Sequence, residues 1–504
     1  MNQLKAGATL NYVILGLNAV VGLTYTPYML RCLGQSEYGI YSLATSIIAY
    51  LSMLDLGFGN AVIRYTSKFR AEGKKEEQYS LFGMFTVLYS AIGLLVIIAG
   101  IVLYMNLGTM FGDTMTDEEL ERTKIVTALM VVNLAFTFPL SIYGAIITAY
   151  ENFVFLRVVQ IIKILLNTFV VVAFLYMGYK AIAIVIVHTV FNFAALGINV
   201  FYCRKKIKIK VNFSKPDWPL IREIAIYSFW IFLNAIMDRV YWSTGQFVLG
   251  ATSGTVAISV YAVAIALQGY YMLFSTGIAG VFLPRITSML SKNCTEKQIS
   301  DLFIKVGRIQ FSIMSLVLAS FIVFGRQFID LWAGEGYEDS FLIAVIFFVT
   351  LFVPLMQNLG ITILQARNQM KFRSLLYIVI AGVSLGFQIV LSKYYGGLGC
   401  AIAVGGALLL GQGLVMNIYY RKVQKIDIVR FWAEILKMSI VPVILMVGGY
   451  FAVQQFVNTS VLSLALGITV FVAIYIPVFY KFSLNDYERD LFSAPVRKLM
   501  KIRK

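Results

Sequence analysis

Of the 504 residues, 59% are hydrophobic and only 13% are charged, with a mean hydropathy of +0.80 and a formal net charge of +17. Soluble domains carry about 25% charged residues, so this composition excludes a water-soluble globular protein. Apolar stretches near the roughly 20 residues that cross a bilayer as a helix recur from end to end, and the period-2 alternation of a membrane β-barrel is absent. The expected fold class is therefore an all-α polytopic membrane protein. Cys32, Cys203, Cys294 and Cys400 are scattered and fit neither a metal-binding pattern nor a disulfide framework. There is no GxxxxGK[ST] phosphate loop and no long polar segment to house a catalytic domain. No catalytic residue, cofactor or metal is expected.

In chain order, Ala6–Leu30 is too long for a signal-peptide core and is followed by no small-residue cleavage site, so it reads as the first span. Further spans are expected near 38–63, 81–107, 125–149, 154–177 (holding Lys163), 181–202 (holding His188), 224–250 (holding Asp238 and Arg239), 256–283, 309–330, 341–365, 374–391, 398–419, 435–453 and 461–480. With the N-terminus inside, the segments on the inner face hold 33 Lys and Arg and those on the outer face 6. The positive-inside rule thus supports fourteen spans with both ends cytoplasmic. The charge of +17 becomes a cytoplasmic collar, which excludes nucleic acid as the expected partner. The same collar can attract anionic lipid head groups.

The chain also repeats itself. Leu17-Asn18-Ala19, Tyr25 and Leu33-Gly34 recur as Leu233-Asn234-Ala235, Tyr241 and Leu249-Gly250, always 216 positions on. Tyr41, Ala44, Tyr50 and Gly57 recur as Tyr261, Ala264, Tyr270 and Gly277 at 220, and Arg64-Tyr65-Thr66-Ser67 answers Arg285-Ile286-Thr287-Ser288 at 221. Pro139 and Pro354 match at 215. Six spans per repeat is an even number, so the halves face the same way, as two parallel repeats. The expected domains are an N-terminal six-helix lobe (1–205), a C-terminal six-helix lobe (220–420), an additional transmembrane helix pair (431–480) and a basic cytoplasmic tail (481–504). Two equivalent bundles suit alternating access, in which a cavity between them opens to one side and then the other.

Leu33-Gly34-Gln35-Ser36-Glu37-Tyr38-Gly39-Ile40, followed by Leu54-Asp55-Leu56-Gly57-Phe58-Gly59-Asn60 and Ile63-Arg64-Tyr65, resembles the first two spans of polysaccharide transporters of the O-antigen flippase type. These belong to the multidrug/oligosaccharidyl-lipid/polysaccharide exporter superfamily, and the resemblance runs the length of the chain as a six-plus-six repeat with two extra spans. It implies a fold like those of drug extruders and lipid II flippases. It also implies export of an undecaprenyl-pyrophosphate-linked oligosaccharide across the bacterial plasma membrane, for capsule, O-antigen or exopolysaccharide synthesis. Expected partners are that polyprenyl-linked glycan and the membrane lipids; H⁺ or Na⁺ as coupling ion and a polysaccharide polymerase are compatible with it. A lipid II flippase, a multidrug extruder and, further off, a membrane glycosyltransferase or polymerase are the alternatives.

Ionisable groups at bilayer depth are costly and default to functional candidates. Asp238 and Arg239 are adjacent and so do not face each other on a helix; either can face the cavity, and an arginine there suits a pyrophosphate. Their competing reading is a structural ion pair with another helix. Lys163 and Asp55 lie at similar depth and are expected either to pair with each other or to contact cargo or an ion, with snorkelling open to Lys163 and shaping of the Gly57–Gly59 stretch open to Asp55. Asn18 and Asn234 are repeat-related cavity candidates whose plainer role is interhelical hydrogen bonding. Arg64 and Arg285 close spans 2 and 8 and are gate or head-group candidates, against simple anchoring. His188, the only histidine, reads as a buried hydrogen-bonding group rather than a proton relay. The paired prolines of spans 4 and 10 are expected flex points.

Overall fold

In the computed structural model the described residues are 3–213, 219, 236–279, 282, 286, 288–290, 292, 294–367, 369–455, 460–491 and 493. They are almost all helical and contain no strand. The helices are α1 (Gln3–Leu51), α2 (Phe58–Ala71), α3 (Lys75–Phe111), α4 (Asp117–Ala149), α5 (Phe153–Tyr176), α6 (Ala181–Tyr202), α7 (Thr244–Thr252), α8 (Gly254–Ala279), α9 (Glu296–Trp332), α10 (Asp339–Met356), α11 (Leu359–Ala366), α12 (Lys371–Leu408), α13 (Met416–Lys422), α14 (Ile428–Gln455) and α15 (Val461–Phe482).

Eleven helical stretches among the described residues are long and apolar enough to cross a membrane. Two of them, Thr9–Ala71 and Lys371–Lys422, each turn at a glycine and cover two expected spans, so thirteen of the fourteen are accounted for. The seventh, 224–250, begins outside the described residues. The fold is thus an all-α polytopic membrane fold, consistent with fourteen spans. Large apolar side chains stay uncovered where lipid is the solvent. On α14 Leu436, Ile440, Val443, Val447 and Phe451 form such a stripe, at the spacing of one helix face.

The turns explain why the motif residues are what they are. Gly34 takes φ 74° inside α1 and separates the first two spans, a left-handed conformation that favours glycine. Gly254 does the same (φ 80°) where α7 gives way to α8, four positions beyond the Gly250 that the sequence repeat aligns with Gly34. A second such pair, Gly178 (φ 85°) before α6 and Gly396 (φ 54°) inside α12, marks the turns between the fifth and sixth and the eleventh and twelfth expected spans. Past Gly34, the buried Glu37 carboxylate accepts from Arg122 of α4 and from the Ala181 N–H of α6 (3.1 Å). The first turn is thereby buckled to two neighbouring helices. Gly39 packs directly on backbone: a Cβ there would run into the Thr255 carbonyl. Gly39→Ala is expected to destabilise the protein by about 1–3 kcal/mol, read as a lower unfolding temperature in detergent; an unchanged temperature would refute the close-packing role.

The chain divides into two compact units, one of residues 1–262 with 392–397, the other of 263–391 with 398–504. In the first, Phe82, Phe85, Tyr89, Phe138 and Ile146 build a core between α2, α3 and α4. In the second, α9 is the hub, with Phe303, Phe311 and Phe324 packed among residues of α11, α13, α14 and α15. The two prolines behave differently. α4 runs through Pro139 without a break. The helix of Pro354 stops at Met356, two residues after the proline, and resumes at Leu359. Side chains satisfy this break: Ser275 donates to the Leu355 carbonyl (2.8 Å), and the amides of Gln357 and Asn417 exchange hydrogen bonds of 2.8 and 3.1 Å.

Candidate functional site

The first unit contains a cavity of about 380 Å³ between α1, α4, α5 and α6. Its walls are apolar where Ile48, Met130, Leu134 and Val185 contribute, and polar elsewhere. The Lys163 ammonium of α5 donates to Asn192 Oδ1 of α6 at 2.8 Å. Asn192 Nδ2 donates in turn to Asn133 Oδ1 (2.8 Å) and Thr137 Oγ1 (2.7 Å) of α4. Asn133 and Thr137 are one helical turn apart, and the threonine hydroxyl donates back to the Asn133 carbonyl (2.7 Å). Across the cavity the Tyr41 and His188 rings stack with centroids 6.5 Å apart, and Thr45 completes the lining.

This arrangement holds one ammonium among amides and hydroxyls, and among the described residues no carboxylate lines the cavity. An ammonium with neutral partners still lacks a counter-charge, a costly state at bilayer depth. The site therefore suits an anionic group together with hydroxyl-bearing chemistry, and it disfavours cations. Two further cavities are less apt. One of about 480 Å³ beside Glu37 and Arg122 is otherwise lined mainly by apolar groups such as Phe174, Ile182 and Ile186. One of about 690 Å³ in the second unit lies at the foot of α9, among Lys292, Asp301 and Lys305. Among the described residues no group of three or more His, Cys, Asp or Glu could hold a metal ion.

The sequence candidates separate in space. Lys163 lies in the cavity, but it does not pair with Asp55. The Asp55 carboxylate accepts instead from the Tyr89 hydroxyl at 2.8 Å. It sits at the end of a short 3₁₀ turn, Ser52–Asp55, just before Leu56 and Gly57 take left-handed φ of 52° and 71°. The Tyr89 contact thus holds the carboxylate beside this irregular stretch. Asp238 and Arg239 both have exposed side chains, and the Arg239 carbonyl accepts from the Ser243 N–H at 2.8 Å. Asn18 is exposed on α1. Arg64 is exposed on α2, with its guanidinium 5.6 Å from the Tyr65 ring centre. Asn234 and Arg285 lie outside the described residues. Asn133, Thr137 and Asn192 were not among the sequence candidates. The available signal was neutral polar residues inside apolar spans, two of them four positions apart, which a search for charges alone passes over.

The family described as "Polysaccharide biosynthesis protein" matches residues 4–290, more than half of the chain. A Shigella flexneri protein described as "Putative O-antigen transporter" is 21% identical over 407 residues, covering 78% of this chain and 92% of that protein. Among solved structures, the lipid II flippase MurJ in an inward closed conformation superposes with a TM-score of 0.70 at 14% identity, over 93% of this chain and 98% of that one. An inward-facing MATE-family multidrug resistance transporter of the MOP superfamily gives 0.66 at 13% identity, over 80% and 96%. At these identities the two structures establish a shared fold.

Proposed function

The chain belongs to the polysaccharide biosynthesis protein family, and from that premise we propose that it is a flippase moving an undecaprenyl-pyrophosphate-linked oligosaccharide from the inner to the outer leaflet of a bacterial plasma membrane. The observation that carries this reading to the residues is the Lys163–Asn192–Asn133–Thr137 cluster, an ammonium presented with amides and hydroxyls in a cavity that no carboxylate lines among the described residues. A phosphate-bearing sugar lipid supplies the missing negative charge and finds hydrogen-bonding partners for its hydroxyls. The two six-helix lobes read from the sequence repeat would expose the cargo to each side in turn, by alternating access. Both termini lie in the cytoplasm on this reading, and an inside-negative potential assists outward movement of an anion by about 2.3 kcal/mol per charge per 100 mV. Arg239, Asp238, Asp55, Asn18 and Asn234 remain further cargo candidates, and Arg64 and Arg285 remain gate or head-group candidates.

The deciding experiment is a flipping assay with purified protein in liposomes and a labelled polyprenyl-pyrophosphate glycan. Protein-dependent appearance of the glycan on the far side is the expected result; transfer no faster than in empty liposomes would overturn the reading. Lipid II transport is the second reading, supported by the 0.70 superposition on a lipid II flippase. Complementation of a strain lacking its own lipid II flippase separates the two, and the primary reading expects no rescue. Drug extrusion is opposed by the cavity lining, which holds Lys163 and, among the described residues, no carboxylate.

A further inference from the structure

Where α6 ends, the chain stays on the protein instead of departing as a free linker. A π-helical turn, Cys203–Ile207, is followed by Lys208 in the left-handed region (φ 58°), and the chain continues without helix through Phe213. Three hydrogen bonds pin it. The Cys203 thiol donates to the Tyr143 carbonyl (3.5 Å), the Ile209 N–H to the Cys203 carbonyl (3.2 Å) and the Asn212 N–H to the Tyr79 carbonyl (3.0 Å). Ile209 is buried, and Ile207 and Val211 pack against the same core. Because alternate residues face inward, Lys206, Lys208 and Lys210 are lifted outward, and Arg204 and Lys205 are exposed beside them.

Positive-inside topology needs charge in this segment but no particular register. What the fold supplies is a fixed strip of five cations, none of them ion-paired among the described residues. It is bracketed by two exposed aromatic rings, Phe201 (62% exposed) and Phe213 (68% exposed). The Lys205 ammonium lies 5.1 Å from the centre of the Phe201 ring. Rings left uncovered at the end of a spanning helix suit the membrane interface. Four to eight basic residues directly following a span have the chemistry of an anionic-lipid site. We propose that residues 204–213 form a preset docking strip for anionic phospholipid head groups of the adjoining leaflet. This is independent of what the protein transports.

The full-length protein in neutral detergent, exposed to a photoreactive phosphatidylglycerol and mapped by peptide mass spectrometry, tests this. Labelling of 201–213 is expected in the wild type, suppressed by excess phosphatidylglycerol but not by phosphatidylcholine or inorganic phosphate. The Lys206→Ser/Lys208→Ser/Lys210→Ser variant should lose labelling by on the order of fivefold per lysine, the equivalent of about 1 kcal/mol each near an anionic surface. The corresponding triple arginine variant should retain it. Competition by inorganic phosphate would make the site one for free phosphate, equal loss in the serine and arginine variants would point to packing, and unchanged labelling in the serine variant would remove the strip. Each of these overturns the proposal.

Discussion

Lys163→Met is expected to cut glycan flux in the liposome assay by about 10- to 100-fold, the equivalent of one charge-assisted hydrogen bond of roughly 1.5–3 kcal/mol. Methionine keeps the unbranched apolar stem, one atom shorter, and removes the charge. An ammonium among neutral partners inside a membrane is a burden on the resting protein, so the same variant should unfold at an equal or higher temperature than the wild type. That combination separates a cargo contact from a packing role, which would lower flux and stability together. Asn192→Ala should fall between, since it leaves the ammonium present but unpositioned. Wild-type flux in Lys163→Met would remove this lysine from the transport path while leaving the flippase reading to the assay itself.

The second large effect concerns Arg308. Its guanidinium is buried in α9 and binds Glu488 through both carboxylate oxygens, at 2.6 and 2.9 Å. It also reaches Glu434 of α14 at 2.8 Å and the Ser483 carbonyl at 3.3 Å. Glu488 has no exposed surface and is held in place by reciprocal hydrogen bonds with Asn485. One arginine thus ties the hub helix of the second unit to α14 and to the segment after α15. Arg308→Met strands a buried carboxylate and should cost about 3–5 kcal/mol, whereas the Arg308→Met/Glu488→Met double variant should recover most of that loss. Thermal unfolding in detergent reads both. A double variant no more stable than Arg308→Met would show that the ion pair is not the fastening.

Arg308 also shows what one-dimensional reading can and cannot supply. Counted among the basic residues of the inner face, it enters the topology count, because that rule needs only charge and position along the chain. Its burial and its two carboxylate partners, 126 and 180 positions away, have no local signature. Glu37 is similar. The motif around it was visible, yet its partner Arg122 was counted only as an outer-face charge.

The composition, the spans and the repeat followed from the sequence because each is a property of a single helix or of a chain compared with itself. Hydropathy sets whether a helix can sit in lipid, and glycine at a turn sets where it must end. The candidate site followed only in part. Sequence fixes a residue's depth along its span, which is why Lys163 and Asp55 looked like partners. It does not fix which way the helix is rotated or which helices lie beside it. Those are decided by packing among α1, α3, α4, α5 and α6, and that packing gave Lys163 to Asn192 and Asp55 to Tyr89 of α3.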